Sequence, residues 1–272
     1  MKRIVTTFAF VSLTIVALFL ANQALLLAKP SVTAVETMWT ANQLYETGQY
    51  VQAAQAYQQL VDQGYADSAL FYNLGNAYFK QGDSGRAILN YRRAERLAPR
   101  DADIQANLAL ARAQSLDQLE ETSNSSGFFG NLAAVTAGWL TLNELAIITL
   151  GLWMLFAFLV IGFGGSKRGS GLREGIGYAL VVASLLLAVG LVGLVSRLHM
   201  TNTSPEAVVV AQEAAVTSGP GPQYVTEFSL HSGTEVSIVE TRENWVRLGV
   251  ADGELQGWVP AGAVETVALA SK

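Results

Sequence analysis

Three stretches of the 272-residue chain are long, predominantly apolar and free of charge: 4–28, 145–163 and 176–195. The second and third contain no charged residue, and each is close to the ~20 residues that cross ~30 Å of hydrocarbon. They predict a transmembrane helical hairpin, with helices over 142–164 and 175–197 and a turn over 165–174. The first run follows Lys2 and Arg3. A basic start and an apolar body fit a secretory signal peptide over 1–28; the same length also fits an uncleaved N-terminal anchor. Gly175, Ala179 and Ala183 place small residues at four-residue spacing on the third run, a stripe that lets helices approach closely in lipid.

Between the first two runs the apolar period becomes helical and repeats. The stretch from Ala41, ANQLYETGQYVQAAQAYQQLV, aligns with that from Gly75, GNAYFKQGDSGRAILNYRRAE, at a spacing of 34 residues. Gly48 matches Gly82, Ala53 matches Ala87, and Tyr57 matches Tyr91. Phe71, Leu74, Gly75, Tyr78, Ala87, Tyr91, Ala94 and Pro99 fall at the signature positions of a tetratricopeptide (TPR) repeat, whose period is 34. Small residues let two antiparallel helices approach, tyrosines fill the space between them, and Pro99 stops the second helix. A further helix from Asp101 to about Ser115 repeats the NLALA pattern and reads as the cap of a short array, so the TPR region is 34–116. Residues 117–141, with Phe128, Phe129 and Trp139 beside a span, read as an interfacial linker.

From Glu206 the period changes to two. AVVVA, YVTEFSLHSGTEVSIVET, NWVRLGV and GWVP read as short strands, separated by SGPGP, HSG, REN and ADGE. About five strands over 206–268 predict a small all-β barrel. The V-T-S-G-P entry, the F-x-L-x-x-G-x-x-V pattern and the closing G-W-V-P resemble bacterial SH3 domains, with Trp258 and Val259 as core. The fold class is therefore a multidomain membrane protein: all-α TPR hairpins, a transmembrane hairpin and a C-terminal all-β SH3-like barrel.

Charge sets the expected topology. The hairpin turn carries Lys167, Arg168 and Arg173 against Glu174, whereas the segment before the hairpin holds Asp117, Glu120 and Glu121 and no base. Short loops rich in Lys and Arg stay cytoplasmic. The turn and the N-terminus are then inside, and the TPR region and the barrel lie together on the periplasmic side of a bacterial inner membrane. Composition agrees: 51% of residues are hydrophobic and 14% charged, and the net charge of −5 offers no basic field for nucleic acid. Cysteine is absent, which removes disulfides, thiol nucleophiles and cysteine metal sites together.

Candidate chemistry is confined to binding. TPR arrays take extended peptides along the groove lined by the first helix of each repeat. Here that face carries Met38, Asn42, Tyr45 and Glu46, then Tyr72, Asn76, Phe79 and Lys80. Asn42 and Asn76 are equivalent, and an Asn amide can bond both edges of a peptide backbone. Arg86, Arg92, Arg93, Arg96 and Arg100 lie on the other helix and read as a solvated face. On the barrel, Tyr224 and Trp245 are candidate surface aromatics for a peptide or cell-wall ligand, or half-buried strand residues. No nucleophile elbow, phosphate loop or metal-ligand cluster is present, so no catalytic residue and no cofactor is expected.

The order of regions, the stretch FYNLGNAYFKQGDSGRAILNYRRAERLAPRDADIQANL and the opening WLTLNEL of the hairpin resemble the BatE-like aerotolerance family over about residues 36–267. The resemblance implies partners among von Willebrand A-domain membrane proteins and a MoxR-type ATPase system, and a role in tolerance of oxygen or envelope stress. Two functions stand as expectations. One is a non-enzymatic membrane scaffold that holds partners in its TPR groove and barrel; the other is a peptidoglycan-binding module that recruits an envelope enzyme.

Overall fold

The computed structural model describes residues 32–117, 139–203, 205–250 and 255–268. The expected signal or anchor segment 1–28 and most of the linker over 117–141 lie outside the described residues. Two compact units are formed: the helical hairpin over 142–197, and a unit that joins residues 31–141 to residues 198–272.

The second unit begins with five helices: α1 Val32–Glu46, α2 Tyr50–Asp62, α3 Ser68–Lys80, α4 Ser84–Leu97 and α5 Ala102–Ala113. Their starts and stops are written in the sequence. Asp67 and Asp101, one repeat apart, cap α3 and α5 by accepting two backbone N–H groups each, and Asp83 caps α4 from Arg86 N. Gly48 and Gly82 take φ of +78° and +79° at the turns after α1 and α3, a left-handed conformation that costs glycine little. Gly75 has to be small: a Cβ there would lie 2.8 Å from the buried ring of Tyr91. Tyr57 and Leu60 of α2 and Leu70 and Leu74 of α3 fill a first core with Ala41, Ala53 and Ala77.

The C-terminal strands are β1 Glu206–Val209, β2 Glu213–Thr217, β3 Thr226–His231, β4 Glu235–Arg242, β5 Trp245–Val250, β6 Leu255–Pro260 and β7 Val264–Thr266. They form one antiparallel sheet in the order β3-β2-β6-β5-β4-β1-β7. Alternation holds on β5, where Val246, Leu248 and Val250 point inward with Val259 of β6. The expected closed barrel is not formed, because β3 and β7 remain edges. At the β7 edge a helix stands where a closing strand would pair: Arg93 of α4 donates to Thr266 O at 2.8 Å, and Val267 packs among α4 and α5 side chains. Trp258 and Val259 are buried as expected, and the Arg242 guanidinium lies 5.2 Å from the Trp258 ring centre.

Helices and sheet share a core. Ile88 and Leu89 of α4 and Leu108 and Ala111 of α5 are buried with Val208 of β1 and Val267. Two glycines permit this contact. A Cβ on Gly85 would sit 2.5 Å from the Val209 carbonyl oxygen, and Gly85 N donates to Ser232 Oγ at 3.0 Å. A Cβ on Gly233 (φ +98°) would meet Ile88 Cδ1 at 2.9 Å. The arginines are accordingly not a solvated face as a group. Arg93 is buried and pairs with Glu265 at 2.8 Å. Arg92 pairs with Glu206 and Glu95, and its Nε lies 3.0 Å from Glu235 as an ion pair without hydrogen-bond alignment. Burial opposes the charge on Arg92, but Glu206, Glu235 and Glu95 outweigh it and raise its pKa. Arg86 and Arg96 remain exposed.

The first unit is the hairpin of α6 Leu142–Gly165 and α7 Gly171–Thr203, two helices long and apolar enough to cross a membrane. The turn between them is shorter than the expected 165–174. Gly169 takes φ +80°, and Arg173 lies 4.3 Å from the Phe163 ring centre inside the first turn of α7. The packing stripe on α7 is also shifted. Ala183, Gly190 and Gly193 are buried, with Gly190 against Thr149 and Gly193 against Leu145, whereas Gly175 faces open space.

Candidate functional site: an asparagine ladder in the helical groove

The first helices of the array, α1 and α3, together with α5, present a row of amides linked by bonds that repeat every 34 residues. Tyr57 OH donates to Asn42 Oδ1 at 2.6 Å, and Tyr91 OH donates to Asn76 Oδ1 at 2.7 Å. Asn73 Nδ2 approaches Asn42 Oδ1 at 3.4 Å, and Asn107 Nδ2 donates to Asn76 Oδ1 at 3.0 Å. Asn107 Nδ2 also reaches Tyr72 OH at 2.9 Å. The tyrosines are fitted to this task. Burial, then Tyr45 and Glu46, push the Tyr57 phenol up to about 12, and burial raises Tyr91 as well, so both keep the proton they donate.

The bonds fix which way each amide faces. The Oδ1 atoms of Asn42 and Asn76 are used inside the ladder. Among the described residues, no partner faces the Nδ2 of Asn42 or Asn76, or the Oδ1 of Asn73 or Asn107, and none of these atoms is sealed from solvent. The groove therefore offers two donors and two acceptors in repeating order.

The other candidate groove residues frame this row. Met38, Tyr45, Tyr72 and Phe79 are half-buried; Met38 and Tyr45 lean on the first core, and Tyr72 and Phe79 on the core shared with the sheet. Tyr45 meets Tyr50 edge-on at 5.3 Å, and the Tyr72 and Tyr91 rings are 6.0 Å apart. Glu46 and Lys80 are exposed. On the sheet, Tyr224 is 44% exposed, with its ring laid over Gly219, and Trp245 is half-buried at the start of β5, paired with Arg242 and Pro260. No described contact brings Tyr224 and Trp245 together.

Sequence proximity hid one polar cluster. Glu227 and Glu235 stand four residues either side of His231 in the chain, yet the carboxylate at its Nδ1 is that of Asp117, 114 residues away in sequence and 2.9 Å distant. His231 N and Thr234 Oγ1 donate to the same carboxylate at 2.7 and 2.6 Å. Burial alone would raise the Asp117 pKa; the hydrogen bonds from Thr234 and His231 outweigh it and hold the carboxyl below its usual range. A carboxyl lowered in this way stabilises the fold above the ordinary value near ~3.9, and that contribution is lost as pH falls through the folded value. Asp117→Asn should thus cost on the order of 1–3 kcal/mol above pH about 5, and the difference from wild type should shrink toward pH about 2 in unfolding curves. No group of three or more metal-ligating side chains occurs among the described residues.

Comparison with known families agrees with the helical half. A model described as TPR repeat matches residues 75–115. No curated protein and no solved structure matches the chain. Fold and comparison define a chain with a TPR repeat and two helices long and apolar enough to cross a membrane, and TPR repeats generally mediate protein–protein contacts.

Proposed function

We propose that this chain is a non-enzymatic, membrane-anchored adaptor. Its TPR groove holds a segment of a partner protein, and its β-sheet braces the groove from behind. The observation that carries the reading is the asparagine ladder. Its polar atoms are oriented by internal bonds but not consumed by them, an arrangement suited to capturing a ligand rather than to catalysis. The sheet supports this division of labour, since it covers α4 and the Leu108–Arg112 side of α5 while Asn107 of α5 stays in the ladder.

The basic hairpin turn supports a periplasmic orientation for the globular unit. The resemblance of the domain order to the BatE-like family supports von Willebrand A-domain proteins and a MoxR-type ATPase system as candidate partners in an envelope-stress assembly. Co-purification from solubilised membranes tests the reading. Wild-type chain and Asn42→Asp/Asn76→Asp chain are isolated in parallel, and co-eluting proteins are quantified. At least one protein should fall by about tenfold or more in the variant, the effect of two lost hydrogen bonds of ~0.5–1.5 kcal/mol each. Identical sets from both chains would remove the groove from the function.

A further inference from the structure

The 34-residue register places two exposed apolar residues in the ladder rows. Asn73 and Asn107 are one repeat apart, and one repeat before Asn73 stands Trp39. Asn42 and Asn76 are one repeat apart, and one repeat after Asn76 stands Leu110. Trp39 is 65% exposed and Leu110 is 49% exposed. Among the described residues, no repeat before Trp39 gives it an Asn to bond, and none after Leu110 supplies one. Each row therefore turns apolar where the amides have no further partner. Val35, one helical turn before Trp39 on the same face of α1, is 54% exposed and lengthens the apolar end.

Charge is sparse along the same face. In the row after Asn42 the residues are Glu46, Lys80 and Gln114, and in the row of Val35 they are Val35, Ala69 and Asp103. One base stands against two acids, so no cationic clamp exists for an acidic tail.

We infer that the groove selects an extended, uncharged segment of a partner protein that carries an apolar side chain at each end, one seated on Trp39 and Val35 and the other on Leu110. This rests on the adaptor reading above and specifies its ligand. Between the two anchors, Asn42 and Asn76 donate through Nδ2 to backbone carbonyls of the segment, and Asn73 and Asn107 accept its N–H groups through Oδ1. Backbone reading sets register without a demand on the central side chains, and the apolar ends set the length.

Random dodecapeptides displayed on phage and selected against the full chain in lipid nanodiscs test this. The winning sequence is then made as a synthetic peptide and its affinity measured. The expected winners are uncharged, with two apolar residues separated by a polar or small-residue stretch, and they bind with little dependence on salt. Trp39→Ala and Leu110→Ala should each weaken the peptide about tenfold. Both positions are exposed, so their variants fold as wild type. Asn42→Asp/Asn76→Asp should also weaken it by tenfold or more while keeping the acceptors that Tyr57 and Tyr91 need. Winners rich in acid, with salt-sensitive affinity, would overturn this specificity but leave a binding groove. A nitroxide at Trp39→Cys that reports oxygen but not aqueous nickel would assign the apolar ends to lipid and overturn it as well. No enriched peptide at all would defeat the adaptor reading itself.

Discussion

Ile88→Asp is expected to destabilise the helices and the sheet together, by about 3–5 kcal/mol. Ile88 is fully buried on α4, in the cluster that also holds Val208 of β1 and Val267 beyond β7. Its Cδ1 is the nearest atom to the space above Gly233, so the β3–β4 turn closes directly over it. Aspartate there removes the packing of a whole aliphatic side chain and leaves a carboxylate with no cation positioned for it. The nearby arginines are committed: Arg93 to Glu265 and Thr266 O, and Arg112 to Glu235. Val51→Asp, at a position 54% exposed on α2, should cost less than about 0.5 kcal/mol and serves as control. Urea unfolding of the full chain in nanodiscs, followed by helical circular dichroism and by the β-sheet hydrogen-exchange signal, reads both halves. With one shared core, the two signals shift together. A sheet that keeps its wild-type midpoint while the helices weaken would show that the shared core adds little.

Much of the helical half was legible because its rules are local. Capping aspartates, glycine turns and the 34-residue register all act within one or two repeats, so Tyr57, Tyr91 and Gly75 could be placed from spacing alone. The internal partners of Asn42 and Asn76 were within reach by the same arithmetic, since Asn73 and Asn107 also lie 34 residues apart. The hidden signal was that a repeated tyrosine fifteen residues after each Asn could donate to it.

The docking of helices on sheet was not legible, for a physical reason. Arg92, Arg93 and Arg112 look like ordinary surface charges, and their partners Glu206, Glu235 and Glu265 lie more than a hundred residues away in sequence. Only the tertiary fold makes them complementary. Gly85 gave no warning either, because a glycine in the first turn of a helix is common enough without a neighbour pressing on it. The open sheet follows from the same fact. Strand patterning reports which residues face a core, but here part of that core is supplied by α4 and α5, so the β7 edge is met by a helix and not by another strand. On the hairpin, charge-free length marked two long apolar helices, whereas the contact face depended on the pairing of Gly190 with Thr149, which spacing within one helix does not determine.

One compact unit is assembled from residues 31–141 and 198–272, which flank the two apolar helices on either side. If α6 and α7 both cross a membrane, as proposed, these flanks emerge on the same face, which is what their packing into one unit requires. In the proposed orientation their basic connecting turn lies on the opposite, cytoplasmic face. The chain contains no cysteine, so single cysteines report position without background. Thr47→Cys, before the hairpin, and Thr241→Cys, after it, are exposed in the helical and β parts of the unit; Ser170→Cys sits in the turn. In intact cells with a permeable outer envelope, a membrane-impermeant thiol reagent should label Cys at 47 and 241 nearly completely. It should label Cys at 170 only after the inner membrane is opened. Labelling of 47 and 241 from opposite sides, or equal access at all three positions in intact cells, would contradict the account.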